Sequence, residues 1–141
     1  MTSFVTLIQT LAAPVGRVLL SAIFLISGLQ KINGYADTQG YMEAMGVPGA
    51  LLPLVIAVEV LGALAIIVGW HARLAAFLVG GFAVISGYLF HYVPSLGLEG
   101  MEAQMQMIGF MKNLSIAGGM GMIVALGAGP YSLDNRKVSA G

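Results

Sequence analysis

ALLPLVIAVEVLGALAIIVG, residues Ala50 to Gly69, is an apolar run of 20 residues with a single charge, Glu59, near its middle. At 1.5 Å of rise per residue, a helix of this length crosses a hydrocarbon core about 30 Å thick. It places an ionisable carboxylate near the bilayer midplane, where a lone charge costs at least ~2.5–3.5 kcal/mol. A chain retains such a group when a partner, a proton or a ligand compensates it. Two readings follow: a buried ion pair that fixes how the helices pack, or a functional carboxylate that marks a path or a site.

Outward from this run, three more apolar segments are legible: about Pro14 to Ile32, Arg73 to Tyr92, and Ile108 or Lys112 to Ala128. The expected fold is therefore all-α, a four-helix transmembrane bundle forming one domain over residues 1–141. Pro14 and Pro53 are expected in first turns, where a missing N–H costs nothing. The connection from Gly69 to Arg73 is short enough to require an antiparallel hairpin. The other two connections are longer and polar.

Composition agrees with a membrane class and excludes others. Of the 141 residues, 58% are hydrophobic and 9% charged, with a mean hydropathy of +0.92. Such a balance is far from that of a soluble domain. The formal net charge is zero, which argues against a nucleic-acid partner. With no Cys, disulfides, thiol redox chemistry and thiolate iron–sulfur ligation are excluded on this chain. The N-terminus lacks the basic start and small-residue cleavage site of a signal peptide, so the first apolar run is expected to be retained.

Charge bias predicts the orientation. Arg17, Arg73, Arg136 and Lys137 lie on the side of the termini and the short hairpin. Only Lys31 and Lys112 lie on the other, beside the acids Asp37, Glu43, Glu99 and Glu102. The positive-inside rule then puts both termini in the cytoplasm. Trp70 and His71 at one end, with Tyr35, Tyr41 and Tyr92 at the other, suit interfacial belts. Ala72, Ala76 and Gly80, and likewise Ala117, Gly121, Ala125 and Gly129, recur every four residues. These stripes mark either the bundle interior or the face of a homo-oligomer.

The polar residues fall into a pattern. Arg17, Ser21, Phe24, Gly28 and Lys31 share one face of the first helix. Gln30, Lys31, His91, Lys112 and Asn113 all lie at outer helix ends, above Glu59, and are expected to gather into a ligand-binding cluster. For Lys31 and Lys112 the competing reading is snorkelling to the headgroups. Lys31 is the expected ion-pair partner of Glu59, with Arg17 and Lys112 as rivals. By helical rise Glu59 lies about 12–14 Å deep, so contact requires Lys31 to bend inward.

Other chemistries fit poorly. His71 and His91 are the two histidines and lie about 30 Å apart on one helix, which excludes a self-contained di-histidine haem. No carboxylate–histidine set resembles a di-metal site. Thioethers suit Cu(I), but Met101, Met105 and Ile108 have the spacing of an amphipathic segment lying on the bilayer. Neither copper nor any other metal site is expected.

Several short motifs together resemble the DoxX family. They are G-R (Gly16, Arg17), F-x-x-x-G-x-x-K (Phe24, Gly28, Lys31), G-V-P (Gly46 to Pro48) and E-x-x-G (Glu59, Gly62). K-N-L-S-I-A-G-G (Lys112 to Gly119) and G-x-G-P-x-S-L-D (Gly127 to Asp134) complete the set. The resemblance implies a small four-helix protein of the bacterial inner membrane. The family takes its name from a subunit of a terminal quinol oxidase and thiosulfate:quinone oxidoreductase system. No self-contained active site is legible here, so a catalytic role would require partner subunits.

Two functions are expected from this. One is a membrane subunit of a quinone-linked oxidoreductase, in which the polar cluster meets a quinone headgroup and Glu59 carries a proton. The other is a non-catalytic anchor or scaffold for a soluble oxidoreductase, or a carrier of a small lipophilic ligand.

Overall fold

The computed structural model describes residues 2–136. Among them there is no strand, and four helices are long and apolar enough to cross a membrane. Helix α1 covers Thr2–Asn33, and a short helix α2 covers Tyr35–Ala44. After a 3-10 turn at Gly49–Leu51, α3 runs over Leu52–Val68. Helix α4 covers Ala72–Gly87, continues through a π-helical stretch at Tyr88–Tyr92 and closes with a turn at Val93–Ser95. Helix α5 covers Gly100–Leu126.

Three boundaries differ from the sequence expectation. Helix α1 starts at Thr2, so Pro14 lies in its interior and not in a first turn. Residues 2–13 are apolar enough to extend the helix past the proline. The connection after α1 carries helix α2, whose weak amphipathic pattern hid it. Helix α5 begins at Gly100, so Met101, Met105 and Ile108 are the collinear first turns of a spanning helix and not a separate surface segment. Pro53 does fall at the start of α3, where its ring costs no hydrogen bond.

Helix α3 ends on Gly69 in the left-handed conformation, φ 71°, a backbone state that glycine adopts without penalty. Trp70 N–H donates to Ala65 O at 2.8 Å, and the chain turns directly into α4. The segment after α5 folds back across this hairpin. Leu133 N–H donates to Val68 O (3.0 Å) and Asp134 N–H to Gly69 O (2.8 Å). Asp134 in turn accepts from the N–H groups of His71 and Ala72, each at 2.8 Å. A residue 62 positions away thus supplies the cap that the start of α4 lacks locally, with its charge suited to the positive end of the helix. Arg73 Nη1 donates to Val124 O and Ala125 O, closing the last turn of α5. Lys137, counted in the charge bias, lies outside the described residues.

The core forms where α4 packs between α3 and α5. Ala63 and Ile66 of α3, Ala76, Val79 and Ala83 of α4, and Met120 of α5 are its centre. The Ala72, Ala76 and Gly80 stripe is buried there. The stripe on α5 is not: Gly121 and Ala125 are exposed, and a Cβ on Gly121 would meet nothing. Helix α1 packs on α3 and barely reaches α5. The two outer helices approach at Leu20, whose Cδ1 lies 3.0 Å from where a Cβ on Gly119 would stand. The bundle is consequently open along one seam, between α1 and α5.

Candidate functional site: a polar cavity at one end of the seam

Above the Leu20–Gly119 contact, on the α2 side, the seam widens into a cavity of about 270 Å³. One wall comes from α1 and α3 and carries Ser27, Lys31 and Glu59. The opposite wall comes from α4 and α5 and carries Ser86, His91, Lys112 and Asn113. The rings of Phe24 from α1, Phe82 from α4 and Phe90 from the π-helical stretch also line it. Helix α2 covers this end with Thr38, Tyr41 and the buried Met42. Tyr41 stacks on Phe90 with ring centroids 5.6 Å apart.

Glu59 is 3% exposed. Its Oε1 accepts from Lys31 Nζ at 3.1 Å and lies 3.4 Å from Ser27 Oγ. Lys31 reaches it by folding back along α1, its Nζ donating to Ser27 Oγ at 2.6 Å. Ser27, one turn before Lys31, steers the ammonium inward. Gly28 permits the approach, because a Cβ there would stand 2.6 Å from Val60 Cγ2 of α3. The other oxygen, Oε2, is buried without a partner. A buried acceptor without a partner is costly, and this one belongs to a residue of the cavity wall.

On the facing wall, Asn113 Nδ2 donates to Ala83 O (2.9 Å) and Ser86 Oγ (3.3 Å), tying α5 to α4. His91 Nδ1 is 2.8 Å from Gln106 Oε1, which orients the imidazole. Gly109 makes room for it, since a Cβ there would meet Nδ1 at 2.7 Å. The π-helical stretch widens the turn that carries Phe90 and His91, and such stretches recur at functional sites. Lys112 has no hydrogen-bond or ion-pair partner among the described residues.

Two sequence expectations are corrected here. Gln30 does not line the cavity; it is exposed at the end of α1, about 100° around the helix from Lys31. Arg17 does not pair with Glu59. It is 3% exposed and donates to the carbonyls of Ala128, Pro130 and Tyr131, the last at 2.6 Å. Arg17 thereby bridges the far end of the seam, where a single guanidinium holds α1 to the segment after α5. Its face of α1 is the buried one, with Ser21 and Phe24, as the 4-3-4-3 spacing implies.

Ser27, Thr38, Ser86 and Phe90 carry no signal in the sequence reading, and Tyr41 figures there only as part of an interfacial belt. Ser27 was findable as the i−4 neighbour of Lys31. The contributions from α2 were not, because nothing local shows that this helix folds over the cavity. Among the described residues no three His, Asp or Glu side chains cluster as a metal site would require.

A bundle of spanning helices that encloses a part-buried ion pair and a polar cavity defines a small integral membrane protein. The DoxX family model matches residues 12–92, more than half of the chain, and the chain belongs to the DoxX family. It is 47% identical over 120 residues to the inner membrane protein YqjF of Escherichia coli (strain K12), covering 85% of this chain and 87% of that one. It is 33% identical over 124 residues to the inner membrane protein YphA of the same organism, covering 86% and 87%. No solved structure matches it. The four spans and these relatives make it an inner membrane protein of this family.

Proposed function

We propose that the protein is a membrane subunit of a quinone-linked oxidoreductase, and that the cavity receives the quinone headgroup. What supports this reading is a cavity lined by polar side chains from α1 and α3 and from α4 and α5, together with three aromatic rings. A quinone carries carbonyls on opposite edges of a flat ring, and each needs a donor. Lys31 supplies one on the first wall, and Lys112 and His91 supply donors on the second. Phe24, Phe82 and Phe90 suit the ring faces, and the seam between α1 and α5 gives an apolar tail a lateral exit to lipid.

In this reading Glu59 handles a proton. Reducing a quinone to a quinol takes two electrons and two protons; a partner oxidoreductase supplies the electrons. When the Lys31 ammonium turns toward the headgroup, Glu59 relays one of the two protons to the reduced ring, and water supplies the other. In this reading both termini are cytoplasmic, as the positive-inside rule argues, and the cavity lies on the opposite side of the membrane.

A non-catalytic anchor would use the Lys31–Glu59 pair only to fix α1 against α3, and the fact that the pair is already made within the chain favours that alternative. Photolabelling separates the two. A tailed azidoquinone should label peptides from the cavity wall, around residues 38–42, 86–91 and 112–116, and an excess of unmodified quinone should suppress the label. Labelling spread evenly over the lipid-facing sides of α1 and α5, with no competition, would favour the anchor.

A further inference from the structure

We infer that the cavity is built for an acidic headgroup, a lipophilic molecule whose ring hydroxyl or carboxyl is ionised, and that Lys112 selects for it. The inference rests on the quinone reading for the ring and tail and adds a charge to the headgroup. The charged side chains in the cavity wall are Lys31, Lys112 and Glu59. Lys31 and Glu59 neutralise each other at 3.1 Å. That leaves Lys112 as a cation without a counter-ion among the described residues. It stands on the wall opposite the pair, so the cavity carries a net positive charge toward any occupant. Lys112 is exposed, so its charge is hydrated when the cavity is empty; an anionic headgroup would gain a charge-assisted hydrogen bond from it that a neutral quinone could not match.

The surrounding charges point the same way and fix the route of entry. Asp37, Glu43, Glu99 and Glu102 are exposed around the same end of the bundle, and none of them lines the cavity. An acidic rim repels an anion arriving from water, while the sparse contact between α1 and α5 leaves a way in from lipid. The ligand that suits both features is an acidic amphiphile that partitions into the bilayer first and enters laterally. Asn113 and His91 are held in place by Ala83, Ser86 and Gln106, so Lys112 is the member of that wall free to reach the incoming group.

The test uses the full protein in phosphatidylcholine nanodiscs and three probes of equal tail length. They are a 2-hydroxy-3-alkyl-1,4-naphthoquinone, ionised at neutral pH, its neutral 2-methyl counterpart, and a fatty acid. Wild-type protein should bind the hydroxyquinone about tenfold more tightly than the neutral quinone, the margin of a charged over a neutral hydrogen bond. In Lys112→Met the ratio should fall to about one, and in Lys112→Arg it should persist. Equal affinities in the wild type, or a preference that survives Lys112→Met, overturn the inference while leaving the quinone reading intact. If only the fatty acid binds, with the same dependence on Lys112, the acidic headgroup stands and the quinone reading falls. Binding of none of the three sinks both.

Discussion

Lys31 Nζ lies 3.1 Å from Glu59 Oε1 because Ser27, one turn earlier on α1, accepts from the same ammonium at 2.6 Å. The lysine starts at the end of its helix and the glutamate sits near the middle of another, so the contact exists only through this backward fold. Removing one member of a buried pair leaves the other uncompensated and typically costs about 3–5 kcal/mol, more than removing both. Lys31→Met and Glu59→Leu should therefore each lower the thermal midpoint in detergent, and the double variant should recover much of the loss. Strictly additive losses would show that the two residues do not interact.

Ser27 makes a finer version of the same point. Ser27→Ala removes the acceptor that turns Lys31 inward and should cost about 1 kcal/mol. That loss should largely vanish in the background of Lys31→Met, where there is no ammonium to steer. An equal effect in both backgrounds would assign Ser27 to packing alone.

Arg17 is expected to act on the chain segment after α5 and not on the cavity. Its guanidinium holds three carbonyls between Ala128 and Tyr131, and charge-assisted bonds of this kind contribute roughly 1.5–3 kcal/mol each. Arg17→Met should speed amide hydrogen exchange at 127–136, Leu133 and Asp134 included. Exchange confined to its wild-type rate there would mean that the backbone bonds to Val68 and Gly69 suffice.

The charge bias makes a prediction about topology. Reporters fused after Arg136, or placed in the Gly69 to Arg73 turn, should read cytoplasmic. Reporters in residues 45–47 or 96–99 should read on the opposite side. A C-terminus reading outside would overturn the charge argument and reverse the side from which the cavity opens.

Residues carried unequal amounts of this picture in the sequence. The four spans were plain, because runs such as Ala50 to Gly69 admit no other reading. Glu59 was plain for the converse reason: one charge in an apolar run must be compensated. The buried face of α1 was readable from spacing alone. Helix α2 was not, since its cover over the cavity depends on long-range packing of Thr38, Tyr41 and Met42. Arg17 was assigned a wrong rival role, because sequence does not show that residues 127–134 fold back and present carbonyls to it. Gln30 was misplaced by counting depth along the helix without its angle around the axis.

If Glu59 moves a proton for a quinone bound in this cavity, Glu59→Gln should stop turnover without disturbing binding. The change is close to isosteric and removes the titrating proton. The complex purified from native membranes in mild detergent, with its partner subunits, is assayed for quinone reduction under saturating electron donor. The variant should fold, bind quinone, and lose turnover by at least the ~100-fold typical of a missing acid–base group. Normal folding, equal quinone affinity and full turnover would contradict that role and leave the Lys31–Glu59 pair as a packing device.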